Sequence, residues 1–161
     1  MTDTKELIDT RLSVLVGLDV SGVHHAADML TLQFGPLRET VNRKGTLKRV
    51  GEWALHVQCH WKVERLGAIV ATQDDLCGRD EKARRATQRL EESLVRSSVT
   101  SVESVEGSES GTLCIAMSAG LRIVITPDGV PDNEDWRFFA PGVDANHFVI
   151  EGGVVDPCSL T

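Results

Sequence analysis

His56, Gln58 and His60 recur at every second position, so an extended segment presents all three on one face, with Lys62 continuing the row. Two histidines on one face suggest a metal site. Residues four apart on a strand, however, stand ~13 Å apart at ~3.3 Å per residue, whereas zinc–imidazole bonds are ~2 Å long. A straight strand cannot bring both rings to one ion, and neither a metal nor another cofactor is expected. A helical segment would place the two histidines one turn apart and reverse that conclusion. The row is read as a polar face that either binds a small ligand or is covered by another element.

A second cluster contains Asp132, Glu134, Asp135 and Arg137. On a strand Trp136 and Phe138 share one face, suited to a core, while Arg137 and Phe139 share the other. Arg137 then either joins His147 beside the His56 face or closes a strand end by pairing with Asp74, Asp75 or Glu151. Trp and Arg are the types that dominate interface hot spots, so this cluster is also a candidate docking surface.

Other chemistries find no support. Cys59, Cys77, Cys114 and Cys158 are isolated, without Cys-x-x-Cys or zinc-finger spacing. They read as free thiols of a reducing, cytoplasmic compartment, at least three of them packing as small hydrophobes. Cys59 precedes His60, but neighbours on a strand point to opposite faces, which separates a thiol from its base. His24 and His25 have no spacing that ties them to Asp19, Asp28, Asp74 or Asp75 as an acid–base pair. Gly-x-Ser-x-Gly, phosphate-loop and His-Glu-x-x-His patterns are missing. Nothing in the motifs argues for an enzyme.

Charge narrows the class of partner. The chain has 161 residues, 17 basic and 24 acidic, for a net charge of −7, which argues against nucleic acid as a partner because phosphate binding needs a basic surface. The balance is uneven. Residues 38–96 hold thirteen Lys/Arg and nine Asp/Glu, whereas residues 97–161 hold only Arg122 and Arg137 against ten carboxylates. The acidic final third, with Asp132, Glu134 and Asp135, is the surface expected to meet a basic protein. No apolar run reaches the ~20 residues of a membrane span, and the polar start does not read as a signal peptide.

The elements that must position these residues form an α+β pattern. Residues 11–20 read as a first strand, followed by a Ser21-Gly22 turn, and residues 28–34 as a second. The basic segment 38–49 has little periodicity and is read as containing an exposed loop at 42–45. Residues 54–64 alternate Leu55, Val57, Cys59, Trp61 and Val63 against polar neighbours, which predicts one long amphipathic strand with a hairpin partner at 68–72. The one clear helix spans 80–97, with Asp80 as its N-cap and Ala83, Ala86 or Thr87, Leu90 and Leu94 as its buried stripe. Weak pairing at 99–105, a loop at 107–111, a hairpin at 112–126 and a last pair at 136–140 and 147–151 complete the chain. The expected architecture is one domain over 1–161, a largely antiparallel meander of about eight to ten strands with one main helix, and loose ends at 1–7 and 156–161.

The segments Ala54-Leu55-His56-Val57-Gln58-Cys59-His60-Trp61-Lys62, Asp135-Trp136-Arg137-Phe138-Phe139 and His147-Phe148-Val149-Ile150-Glu151-Gly152-Gly153 resemble a group of small uncharacterised bacterial proteins. The group's usual tryptophan–arginine pair is Trp61-Lys62 here, and Lys lacks the bidentate fork of Arg. More loosely, a small acidic domain of this kind is similar to immunity proteins of bacterial toxin systems. That likeness implies a non-enzymatic interaction module whose acidic surface binds a basic partner. The alternative is a small-ligand-binding protein or enzyme with its site over His56, Gln58 and His60. A concave site formed by that face with Arg137 or His147 would favour the second; a flat face would remove it. Oligomeric state is not readable from these residues.

Overall fold

The computed structural model of the chain describes residues 4–105 and 111–160. Within them lie two α-helices, α1 (Thr4–Leu12) and α2 (Asp80–Leu94), and thirteen strands. The strands are β1 (Val20–Ala26), β2 (Met29–Phe34), β3 (Arg38–Val41), β4 (Leu47–Val50), β5 (Trp53–Val57), β6 (His60–Arg65) and β7 (Ala68–Thr72). After α2 follow β8 (Val99–Val105), β9 (Thr112–Met117), β10 (Leu121–Thr126), β11 (Glu134–Phe139), β12 (Phe148–Glu151) and β13 (Val154–Val155). No helix is long and apolar enough to cross a membrane.

The α+β class with antiparallel pairing is as expected, but the strands divide into three sheets instead of one meander. The first runs β1-β2-β5-β11-β12-β13, the second β7-β6-β10-β9-β8, and β3-β4 stands apart as a two-stranded hairpin. The alternating stretch at 54–64 belongs to both large sheets. Gln58 N–H and Cys59 N–H both donate to the Asp135 carbonyl, at 2.8 and 3.2 Å, so two residues face one. Such a bulge bends a strand and raises its twist, letting β5 leave the first sheet and continue as β6 in the second. Alternation survives the bend because both sheets turn their apolar faces to one core. Val23, Leu32, Leu55, Phe138 and Phe148 form a row across the first sheet, and Trp61, Ile125 and Leu113 a row across the second.

Each helix covers a seam between the sheets. α2 packs on β1 and β7, and α1 on β8 and β13, so each helix touches one edge strand of either sheet. Covered edges cannot template pairing with another chain. Ala83, Ala86, Leu90 and Leu94 are the buried stripe of α2, as their spacing predicted. The helix ends at Leu94, three residues early, where Arg96 turns left-handed (φ 75°). Arg79 occupies the N-cap position without a side-chain bond, and Asp80 is the first helical residue.

Loose ends were expected at 1–7 and 156–161; of these, residues 4–7 belong to α1 and residues 157–160 to a 3-10 turn. Ile8 and Leu12 of α1 and Leu15 of the 3-10 turn after it are fully buried. Full burial of a large aliphatic side chain stabilises by roughly 1.5–3 kcal/mol, enough to hold a nine-residue helix in place. Residues 11–19 are thus helix, 3-10 turn and connection, Val20 opens β1, and Ser21-Gly22 lies inside that strand. At the other end Ser159 is buried in a 3-10 turn, its hydroxyl accepting from Val149 N–H at 3.0 Å. All four cysteines are free, but only Cys59 is buried; Cys114 is half-buried and Cys77 and Cys158 are exposed, against the expectation of three core thiols. The expected loop at 107–111 lies, apart from Gly111, outside the described residues.

Candidate functional site

Strand register decides which polar residues meet on the outer face of the first sheet. His24, Thr31, His56 and Arg137 pair in one row across β1, β2, β5 and β11. The adjacent row contains Gln33, Ala54 and Phe139. The β3-β4 hairpin overhangs this face. Its base is tied by Gly51 N–H donating to buried Gln33 Oε1 at 2.8 Å, and Arg38 Nη2 donates to the Pro141 carbonyl.

Sheet and hairpin enclose a groove of about 370 Å³ whose polar lining includes His24, Thr31, Lys48 and His56, with Phe139 as a hydrophobic wall. This lining contains no carboxylate, in a chain of net charge −7. It offers imidazoles, an ammonium and a hydroxyl, groups that donate hydrogen bonds, but no Ser or Cys nucleophile. Cys59 is remote from such a role, since burial, with Asp135 and Asp128 nearby, pushes its thiol well above its usual range.

Beside the groove, aromatic and charged groups lock together. The Phe139 ring stacks on His147, centroids 4.1 Å apart, and meets the His56 ring edge-on at 4.8 Å. Arg137 Nη1 lies 3.0 Å from His147 Nδ1. Because guanidinium can only donate, Nδ1 accepts and the neutral imidazole carries its proton on Nε2. Arg137 Nε reaches both Glu134 oxygens at 3.0 Å, and Gln58 Nε2 donates to Glu134 Oε2 at 2.5 Å. Burial first, and the Arg137 charge second, hold both His56 and His147 below the ordinary imidazole pKa.

Five of the nine sequence-predicted residues therefore come together: His56, Gln58, Glu134, Arg137 and His147. Arg137 pairs with Glu134 instead of Asp74, Asp75 or Glu151. His60 and Lys62 do not join them, because the bend at Gln58–Cys59 carries them onto the second sheet. There His60 faces Asp128 at 3.4 Å and Lys62 faces Glu64 at 3.5 Å.

The acidic trio is dispersed. Asp132 is exposed on a turn, and Glu134 is held by Arg137 and Gln58. Asp135 is 1% exposed, which removes it from any docking surface. Its carboxylate accepts from Gly153 N–H at 2.8 Å and Asp128 N–H at 3.2 Å, pinning two turns. Burial raises its pKa more than the two amides lower it.

Sequence reasoning missed His24, Thr31, Gln33 and Lys48 as parts of one site. The long-range pairing of β1, β2 and β5 assembles them, and adjacent histidines at 24 and 25 were the only local signal. No group of three or more His, Cys, Asp or Glu that could hold a metal occurs among the described residues. A larger depression of about 490 Å³ is lined largely by Leu18, Val20, Pro36 and Leu37; its Asp19 is engaged with the Ser98 hydroxyl at 2.5 Å. No protein-family model, curated protein or solved structure matches the chain.

Proposed function

We propose that the protein binds a small anionic or acceptor-rich molecule in the groove between the first sheet and the β3-β4 hairpin. The observation that carries this reading is a concave lining that presents His24, His56 and Lys48 without a carboxylate. Concave sites with a few convergent polar groups are where small ligands bind, and a carboxylate-free lining in an acidic chain selects against cations. Lys48 supplies the fixed charge. His24 and His56 face each other across Thr31 and supply directional donors from the sheet. The lining holds no Ser or Cys, and the reading is binding without covalent chemistry. A basic partner docking on Asp132, Glu134 and Asp135 is the weaker alternative, because two of those three carboxylates are already committed inside the protein.

The test is titration with inorganic phosphate and with citrate, followed by amide and imidazole chemical shifts. Shifts confined to β1, β2, β4 and β5 are expected, and Lys48→Ala and His56→Gln weaken binding about tenfold or more, the size of one charge-assisted hydrogen bond. His60→Gln leaves it unchanged. Equal effects at His60 and His56, or shifts scattered over the surface, would overturn the assignment.

A further inference from the structure

On the inner side of the same sheet, where α1 passes its end, lies a separate cavity of about 290 Å³. Three of the chain's seven aromatic side chains face it: Trp53, Phe138 and Phe148. Trp53 and Phe138 stack face to face, centroids 4.9 Å apart and planes 13° from parallel. Such a concentration is unusual for a chain that is only 4% aromatic. Two aliphatic side chains in the lining, Val14 and Val143, are 45% and 51% exposed, which places apolar surface at the mouth.

Arg11 gives the cavity its polarity. Its guanidinium lies 5.7 Å from the centroid of the Phe148 ring and makes no ion pair among the described residues. A guanidinium held over a ring by cation–π attraction spends none of its N–H groups on that contact, and its fork matches a carboxylate with two parallel hydrogen bonds. The volume falls at the small end of ligand sites, room for one ring or two fused rings.

We propose that this cavity binds a small planar aryl carboxylate, its ring against Trp53 and Phe138 and its carboxylate on Arg11. This site lies across the sheet from the outer groove, and Phe139 is the one residue that lines both. Aromatic rings gain from offset or edge contact with other rings beyond the burial of area, which selects a flat ligand over an aliphatic one of equal size. The single cation at the mouth selects the acid over the amine.

Phenylacetate, benzylamine and cyclohexylacetate are the probes, followed by Trp53 emission and ligand-observed NMR. Trp61 and Trp136 are 3% and 0% exposed, so a quenched emission reports on Trp53. Phenylacetate is expected to bind at least tenfold more tightly than either other probe. Arg11→Gln removes most of that preference over benzylamine, Arg11→Lys restores only part of it, and Val143→Trp, followed by ligand-observed NMR alone, blocks binding while circular dichroism stays unchanged. Equal binding of phenylacetate and benzylamine, or phenylacetate affinity indifferent to Arg11→Gln and Val143→Trp, would overturn the proposal. Loss of phenylacetate binding in Lys48→Ala but not in Arg11→Gln would move the ligand to the outer groove and refute this site alone.

Discussion

The imidazole of His147 lies on the ring of Phe139, 4.1 Å between centroids and 13° from parallel, while Arg137 donates to its Nδ1. That contact needs a neutral imidazole with a free lone pair, and it ties the loop before β12 to the polar face of β11. His56, edge-on to the same ring, is under the same constraint of burial beside Arg137.

Stability therefore depends on pH in a definite direction. Both histidines have folded-state pKa values below 6.5, so as pH falls through that value the unfolded chain takes up protons first. Their contribution is fully present above about pH 6.5 and is lost as pH falls towards the folded-state values. The urea midpoint of the wild type should be lower at mildly acidic pH than at slightly alkaline pH. The difference should shrink in His56→Gln/His147→Gln; an undiminished difference in the double variant would refute this assignment.

Asp135 works in the opposite sense. Its folded-state pKa is raised, so ionisation weakens the fold as pH rises through that value and protonation strengthens it. Asp135→Ala removes the carboxylate that accepts from the Gly153 and Asp128 amides and should cost about 1–3 kcal/mol in denaturant unfolding at neutral pH. Asp135→Asn keeps one oxygen and removes the buried charge, so it should cost less than the alanine variant. An alanine variant as stable as wild type would show that the two turns do not depend on this side chain.

Gly51 sets the distance between hairpin and sheet. A Cβ there would lie 2.8 Å from the Phe34 carbonyl oxygen and 3.1 Å from Gln33 Cβ. Gly51→Ala must push the hairpin base outward, at roughly 1–3 kcal/mol, and should also weaken phosphate binding in the groove. Gly45→Ala, at the open tip of the hairpin, meets no atom within 4 Å; it carries only the left-handed backbone cost of about 1 kcal/mol and leaves binding intact. Equal affinity in the two variants would dissociate the hairpin from the site.

The amino-terminal helix is a structural part of the core. Ile8→Ala and Leu12→Ala should each cost about 2–5 kcal/mol, measured by chemical denaturation. Values near those of surface substitutions, about 0.5 kcal/mol or less, would return this segment to a loose end.

The legible parts of the fold were those where burial writes a period into the chain. α2 and the β9-β10 hairpin each bury one face, and their apolar spacing named the elements and much of their extent. α1 was misread because Leu12, Val14, Leu15 and Val16 form an aliphatic run that looks like a strand. Ile8, Leu12 and Leu15, at spacings of four and three, were the helical signal within it. β3 and β4 were illegible, since both are mostly exposed and have no apolar face to repeat. The site suffered from the same limitation. His56 was visible on its strand, but its neighbours His24 and Lys48 arrive through pairing and overhang, which local spacing does not encode.

The bend at Gln58–Cys59 also has a mechanical meaning. β5 is an interior strand of one sheet and β6 an interior strand of the other, and they are one covalent path. A pull or a local opening that frees β5 draws on β6 within two residues, so neither sheet can melt while its neighbour persists. Amides on both sides of the bend should then exchange with solvent at a common rate, set by global unfolding.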